Sequence, residues 1–128
     1  MGIDNLITDF AHTPAQLPLT EDVVLEDHGQ SMVYQGRTAV LPILRAYFVD
    51  GFSDGRVTVH TTLANEQTIV IAFLFNGRHD GTFLGIPATG REVTVPMILL
   101  GHINQQQIQH LTLYYDAGTI LRQLDLAL

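Results

Sequence analysis

The sequence contains no cysteine among its 128 residues. This absence excludes a disulfide framework, a thiolate metal site and a cysteine nucleophile. Lysine and tryptophan are absent as well, so the six basic residues are all arginines. The two serines, Ser31 and Ser53, lie outside the G-x-S-x-G pattern of a serine nucleophile. The sequence therefore gives no sign of covalent catalysis by serine or cysteine.

Basic charge is scarce, because six arginines face thirteen acidic residues for a formal net charge of -7. Nucleic acids and anionic membrane surfaces both require basic protein surface, so we expect neither as a partner. No apolar run reaches the roughly 18 residues of a membrane-spanning helix. The N-terminus lacks the basic segment followed by an apolar one that marks a signal peptide. We therefore expect a cytoplasmic protein.

Charged residues of both signs make up only 15% of the chain, whereas 46% of the residues are hydrophobic. The length fits a single domain over residues 1–128, which would expose roughly 6,800 Å². Nineteen charged residues cover such a surface sparsely for a soluble monomer. Part of the apolar surface is therefore expected in a cavity or in the interface of a homodimer.

The hydrophobic pattern changes from helical to strand-like along the chain. Apolar residues at helical spacing predict a first helix from about residue 4 to 11 and a long one over 36–51. A short strand is predicted at 23–25. Alternating residues then predict four long antiparallel strands (57–63, 68–76, 93–104 and 107–115) and a short helix over 119–126. The expected fold class is α+β, with helices on one face of a curved antiparallel sheet and a second subunit on the other.

Two segments carry a resemblance to a known family. Residues 77–91 read G-x-H-x-G-x-F-x-G-I-P-A-T-G-R, and residues 108–124 end in Y-Y-D followed by I-L-R-Q-L. Both segments and their spacing resemble the SnoaL-like polyketide cyclases, the ester cyclase group of the NTF2-like superfamily. The resemblance implies a cone in which a curved sheet is wrapped by helices, with the ligand in its mouth and commonly two subunits. Because only about 16 residues precede Leu17, the N-terminal helical region is expected to be shortened.

The resemblance also implies a chemistry. Such cyclases are thought to close a ring by an intramolecular aldol reaction on a small hydrophobic carbonyl compound, without metal or cofactor. That reaction needs a base next to the carbonyl and a donor for the enolate oxygen. The family's acid–base aspartate lies in the closing strand, which assigns the role to Asp116, and burial in an apolar cone would raise its pKa. The residues alone leave a second reading open, because Asp116 precedes Ala117-Gly118-Thr119 and fits a helix cap.

His102 is the next catalytic candidate, as proton donor or partner of the aspartate. A two-residue turn at Gln105-Gln106 would pair His102 with Gln109 and place it on the face opposite Asp116. A one-residue bulge would place His102 on the same face as Asp116. The remaining substrate-binding candidates come from the same strand face, the first strand and the signature loop: His110, Thr112, Tyr114, His28 and His79. His79 is expected to fix the loop more than to act chemically. No histidine pair has metal-ligand spacing with a carboxylate, so no metal is expected.

Three functions remain open at this point. The leading hypothesis is a cyclase-type acid–base enzyme with Asp116 as its base. The first alternative is a non-catalytic, dimeric small-molecule-binding or assembly module, because one fold hosts many functions. The second keeps the cavity but changes the reaction to isomerisation or epoxide hydrolysis, for which Tyr34 and Asn104 would have to reach the ligand.

Overall fold

The computed structural model describes residues 3–126. It contains three α-helices, one π-helical turn and six strands. In chain order these are α1 (Ile3–His12), β1 (Leu19–Asp27), β2 (Met32–Gln35), α2 (Arg37–Arg45), the π-helical turn (Ala46–Asp50), β3 (Arg56–Ala64), β4 (Thr68–Arg78), β5 (Glu92–Asn104), β6 (Gln107–Tyr114) and α3 (Ala117–Gln123). The α+β class and the four long strands are thereby confirmed.

The six strands form one curved, unclosed sheet in the order β2-β1-β6-β5-β4-β3. The expectation of an entirely antiparallel sheet is wrong at one place, because β1 runs parallel to β6. Parallel pairing follows from the long crossover between these strands, which carries α2 and the β3–β5 meander. The sequence also missed β2, a four-residue edge strand that pairs with the end of β1.

One face of the sheet, which we call the inner face, carries the apolar core. It presents alternating buried residues of β4 and β5 to the helices: Ile69, Ile71, Phe73 and Phe75, then Val93, Val95, Met97 and Leu99. Phe10 of α1 meets Phe73 edge to face at 4.8 Å and Phe48 at 5.8 Å. Burying each such ring contributes about 1.5–3 kcal/mol. Aromatic side chains therefore fill much of the space between sheet and helices.

The helix predicted over 36–51 is an α-helix only as far as Arg45. It starts after Gly36, whose φ of 90° suits a residue without a side chain, and it continues into the π-helical turn Ala46–Asp50. The wider turn changes the helical phase, and it buries Tyr47 and Phe48 next to each other. The change of phase is what brings the Tyr47 hydroxyl to the end of β1, where it contacts Asp27.

A bulge in β6 decides which face the predicted site residues share. Gln105 and Gln106 form the two-residue turn between β5 and β6 with φ values of 51° and 67°. The register then shifts, so that His102 pairs with His110 and not with Gln109. The extra residue of β6 places His110 and Tyr114 on the same face as His102. This face lies opposite the core, and we call it the outer face. The bulge alternative stated above is therefore the one observed.

Candidate functional site

An apolar groove of about 610 Å³ lies at one end of the outer face. Ala72, Ile98 and Tyr114 come from three adjacent strands and line it at paired positions. His28 and Asp116 line it as well. These two and Tyr114 were all predicted as site residues from the sequence, and the fold brings the three together. For Tyr114 the expectation of a place inside the cone is wrong, because alternation along β6 directs Leu113 into the core and Tyr114 to the opposite face.

His28 lies on the wall of the groove, in the turn that follows β1. Its ring is tilted by 36° on the ring of Tyr114, with 4.6 Å between the centroids. Its Nε2 atom is 3.6 Å from Oε1 of Glu26, which is within ion-pair range. The imidazole is about half exposed, so it is open to a ligand on one side and held by the protein on the other. The ring is therefore accessible to a molecule bound in the groove.

Asp116 lies at the junction of β6 and α3 and caps the helix. Its carboxylate accepts hydrogen bonds from Gly118 N at 3.1 Å, Thr119 Oγ1 at 2.9 Å and Arg122 Nη2 at 3.3 Å. The Thr119 hydroxyl, followed by the Gly118 amide and the Arg122 guanidinium, lowers the pKa of Asp116 below its ordinary value. The expectation of a raised pKa is wrong, because the side chain is 67% exposed and its charged form is hydrogen-bonded. The catalytic role of Asp116 stays a prediction.

The other predicted residues of the outer face lie beyond the groove, towards the β5–β6 turn. His102 and His110 are cross-strand neighbours with ring centroids 6.0 Å apart. His110 Nε2 makes a short contact with Oε2 of Glu26, while Thr112 is buried beside Leu100. These residues lie on the same face as the groove and form a polar surface next to it, but they do not line the groove.

Glu26 was not singled out from the sequence, although it connects two of the predicted histidines. One carboxylate oxygen contacts His110 of β6, and the other lies near His28. The hydrogen bond from His110, assisted by His28, lowers the pKa of Glu26. The sequence signal that could have identified Glu26 is the alternation along β1, which directs its side chain to the outer face. The histidines themselves come from elsewhere in the chain, and only the parallel β1–β6 pairing brings His110 alongside.

His79 lies away from the groove and is fully buried in the loop between β4 and β5. Its Nδ1 is 2.9 Å from Thr89 Oγ1, and its backbone carbonyl accepts from Thr89 N and Gly90 N. Its Nε2 has no hydrogen-bond partner among residues 3–126, and the ring lies near those of Phe52 and Phe83. This placement is that of a residue that fixes the loop, and its assignment as a substrate-binding residue finds no support in the geometry.

Tyr34 and Asn104 are not brought to the groove either. Tyr34 pairs with Leu25 in β1 and packs against the core, on the inner face. Asn104 is exposed at the β5–β6 turn, where its amide contacts Gln109 at 3.4 Å. An epoxide-opening site that uses both residues around one water is therefore not formed here.

A second polar cluster behind the groove escaped the sequence analysis. Asp27 is only 1% exposed and accepts hydrogen bonds from Tyr47, Tyr115 at 2.9 Å and Gln30 Nε2 at 3.0 Å. Burial, together with the negative charge of Asp27, raises the pKa of both tyrosines, so they stay protonated donors. Gly29 is required here, because a Cβ at its position would lie 2.3 Å from the Tyr115 ring. Tyr115 also lines the groove, so this cluster supports the wall from behind.

Residues 3–126 contain no cluster of three histidine, aspartate or glutamate residues that could hold a metal ion. None of the helices within the same range has the length and apolar character needed to cross a membrane.

Comparison with known proteins gives one family match. The sequence model of the family described as SnoaL-like polyketide cyclase matches residues 7–124, which is most of the chain. No curated protein matches this sequence.

Solved structures agree on the fold. A Jannaschia sp. CCS1 protein, provisionally assigned to the SnoaL-like polyketide cyclases, superposes with a TM-score of 0.83 at 19% identity, over 94% of this chain and 90% of that one. TsrD from Streptomyces laurentii gives 0.80 at 22% identity, over 97% and 95%. A Catenulispora acidiphila protein with the ketosteroid isomerase-like fold, in complex with trimethylamine, gives 0.73 at 19% identity, over 98% and 95%. These likenesses confirm the ketosteroid isomerase-like (NTF2-like) fold.

Proposed function

Because the chain belongs to the SnoaL-like polyketide cyclase family, we propose that it is a cofactor-independent acid–base enzyme acting on a small hydrophobic carbonyl compound. The reaction would be an intramolecular aldol closure or a related isomerisation. The observation that carries the proposal is the outer-face groove, in which an apolar floor is bordered by Asp116, His28 and Tyr114. Apolar surface with a few converging polar groups is typical of a small-molecule site.

The carboxylate of Asp116 would take the proton from the carbon next to the carbonyl. It is ionised in the free protein, because its hydrogen bonds lower its pKa. An apolar ligand over the groove would displace water from the carboxylate and raise that pKa towards the range a general base needs. The resulting enolate would then attack a second carbonyl, and a donor must protonate the new oxygen. The sequence assigns this donor to His102, which a substrate in the groove could meet only by extending along the outer face past Leu100.

Exchange of carbon-bound hydrogen tests the proposal without knowledge of the substrate. The bicyclic ketone 2-tetralone exchanges the protons next to its carbonyl with D₂O through its enolate, and ¹H NMR follows the loss of signal. We expect the protein to accelerate the exchange, and Asp116→Asn to remove about 100-fold of the acceleration. Asparagine keeps the helix cap, so the fold is preserved. The control Asp4→Asn changes an exposed carboxylate on α1.

His102→Gln in the same assay tests the predicted donor, with a loss of similar size expected if His102 donates. A wild-type rate no faster than buffer with an equal concentration of imidazole would refute the acid–base function. An Asp116→Asn rate equal to that of Asp4→Asn would refute Asp116 as the base.

A second copy of the chain is the proposed cover of the outer face. Apolar side chains are exposed across it from edge to edge, including Val33 of β2 (57% exposed) and Leu63 of β3 (68% exposed). Five interstrand spacings of about 4.8 Å and strands about 30 Å long give a face of roughly 700 Å². This is close to the about 800 Å² per partner of a stable interface. A second copy on this face would also close the open side of the groove.

Sedimentation equilibrium tests the dimer. We expect twice the chain mass of 14.2 kDa at micromolar concentration. Leu63→Arg on the outer face should dissociate the dimer, whereas Val49→Arg, at an exposed apolar residue of the π-helical turn, should not. A wild-type mass of one chain would contradict the proposal.

A non-catalytic binding module is the second candidate function. The filling of the inner face favours it, since Phe10, Phe48 and Phe73 occupy the space in which the family resemblance places a ligand. In this case 2-tetralone would bind, seen as chemical-shift changes of the Tyr114 and Ile98 signals, but its exchange would be no faster than in buffer.

A further inference from the structure

The wall of the groove contains a carboxylate–imidazole pair. His28 lies on the groove and is stacked on Tyr114, while Glu26 lies one residue before Asp27 on the outer face of β1. Oε1 of Glu26 is 3.6 Å from Nε2 of His28. We propose that His28, positioned by Glu26, is the proton donor of the groove. This inference rests on the proposed function and assigns the donor role that the sequence gave to His102.

Glu26 is held in place from a second side. Its Oε2 contacts Nε2 of His110 on β6, so the carboxylate lies between two imidazoles that belong to different elements. The pairing of Glu26 with Thr112 in the β1–β6 register points its side chain along the outer face towards both rings. Two contacts restrict a glutamate more than one does, and a fixed carboxylate is what can fix the orientation of a histidine ring.

Two other histidines near the groove, His60 and His102, are not paired with a carboxylate among the described residues. Among residues 3–126, no carboxylate lies within ion-pair range of His60, which lines the far side of the groove, or of His102. The ring of His102 faces His110 at 6.0 Å, and Asp116 is engaged by Arg122 on the opposite wall. His28 is therefore the one groove histidine, among the described residues, that a carboxylate can orient.

The pair supplies the step that the aldol closure still needs. When Nε2–H of His28 points at Glu26, Nδ1 is left for the substrate. A charged imidazole gives its Nδ1 proton to the oxygen that becomes an alkoxide, while Asp116 takes the carbon-bound proton of the nucleophile. One carbon–carbon bond forms, and the carbonyl that is attacked becomes a hydroxyl. The proton on Asp116 then returns to His28 through water, which restores both groups without a co-reactant.

The orientation of His28 can be measured independently of activity. In ¹⁵N-labelled protein, long-range ¹H–¹⁵N NMR distinguishes which ring nitrogen of a neutral histidine carries the proton. We expect neutral His28 to carry the proton almost entirely on Nε2 in the wild type, and to carry a larger share on Nδ1 in Glu26→Gln. The control Glu92→Gln removes an exposed carboxylate that pairs with Arg78 at the far end of β5, and it should leave His28 unchanged. The positioning by Glu26 would be overturned if the two ring nitrogens of wild-type His28 shared the proton. It would also be overturned if Glu26→Gln did not change which nitrogen carries it.

The exchange assay with 2-tetralone then tests the proton transfer. His28→Gln and Glu26→Gln should each remove about 100-fold of the acceleration. The double variant should lose no more than either single variant, because the two residues act as a unit. The pH dependence of His28→Gln should also lose its alkaline limb, because the donor acts in its charged form, and a merely structural role would not cause this loss.

Three results of the assay bear on His28. Activity that survives His28→Gln and disappears in His102→Gln would overturn the assignment of the donor while leaving the acid–base function intact. A preferred Nε2–H tautomer without any exchange in the wild type would overturn the proton transfer together with the proposed function. Exchange that depends on both His28 and Glu26 would support the inference.

Discussion

Removal of the Asp27 carboxylate is expected to destabilise the protein more than any substitution of an exposed acid. The carboxylate accepts from five donors: the amides of Gly29 and Gln30, the side-chain amide of Gln30, and the hydroxyls of Tyr47 and Tyr115. In Asp27→Ala, water can reach the partly exposed turn amides, but the two phenol groups lose their acceptor inside the protein. Rotation of the Gln30 side-chain amide can offer its oxygen as an acceptor to one of the two phenol hydroxyls.

The magnitude follows from the groups that remain without partners. A buried donor without an acceptor costs about 1–3 kcal/mol, and breaking a buried charged network by removing one member costs about 3–5 kcal/mol. We therefore expect Asp27→Ala to lower the free energy of unfolding by about 3–5 kcal/mol. With an unfolding entropy of about 2.1 cal/mol/K per residue, the melting temperature should fall by roughly 10–20 °C.

Urea denaturation and calorimetry measure this loss. Asp50→Ala is the matched control, since Asp50 forms an exposed ion pair with Arg45 at 3.2 Å and should cost less than about 1 kcal/mol. Asp27→Asn should lie between the two, because the amide keeps the shape and one acceptor. A loss of less than about 1 kcal/mol for Asp27→Ala, equal to that of the control, would refute the reasoning that the cluster holds the β1–β2 turn to the rest of the fold.

Two further predictions concern the loop glycines and the helix cap. A Cβ at Gly81 would lie 2.0 Å from the backbone oxygen of Asp50, so Gly81→Ala should lower the free energy of unfolding by about 2 kcal/mol or more. Gly85 has open space around it and a φ of 75°, so Gly85→Ala should cost about 1 kcal/mol. Equal urea midpoints of the two variants would contradict this difference. Because the folded pKa of Asp116 is depressed, its capping of α3 contributes fully above the ordinary pKa of 3.8 and is lost as the pH falls through the lower folded value. The amide signal of Gly118, which donates to this carboxylate, should therefore move only below about pH 4 and stay constant in Asp116→Asn.

Local sequence signals predicted the elements well where the pattern was long and regular. Apolar residues alternate with others over nine or more residues in β4 and in β5. Such a long alternation fits a strand with one buried face and does not fit a helix. The four-residue β2 was missed because it is too short for a period to be visible. The helix predicted over 36–51 was wrong in its last turn, because apolar residues at 47 and 48 suit a continuing α-helix as well as the observed π-helical turn.

The candidate site was predictable residue by residue but not in its position. His28, Tyr114 and Asp116 were named from the sequence and meet at one groove. The face of Tyr114 was predicted wrongly, because the resemblance implies a ligand inside a cone, while the periodicity of β6 does not say which of its two faces meets the helices. The direction of the pKa shift of Asp116 could not be predicted from the sequence either, since the pKa of an aspartate depends on whether water or apolar groups surround it.

By itself, the sequence determined what depends on local order along the chain: an α+β protein with no thiol chemistry, an acidic net charge, and two motifs that identify its family. Only the tertiary structure decided which residues become neighbours across distant strands. The parallel pairing of β1 with β6 joins Glu26 to His110, and the π-helical turn brings Tyr47 to Asp27. The physical reason is that periodicity fixes which residues share a face of one element, whereas strand order, bulges and packing decide what that face meets.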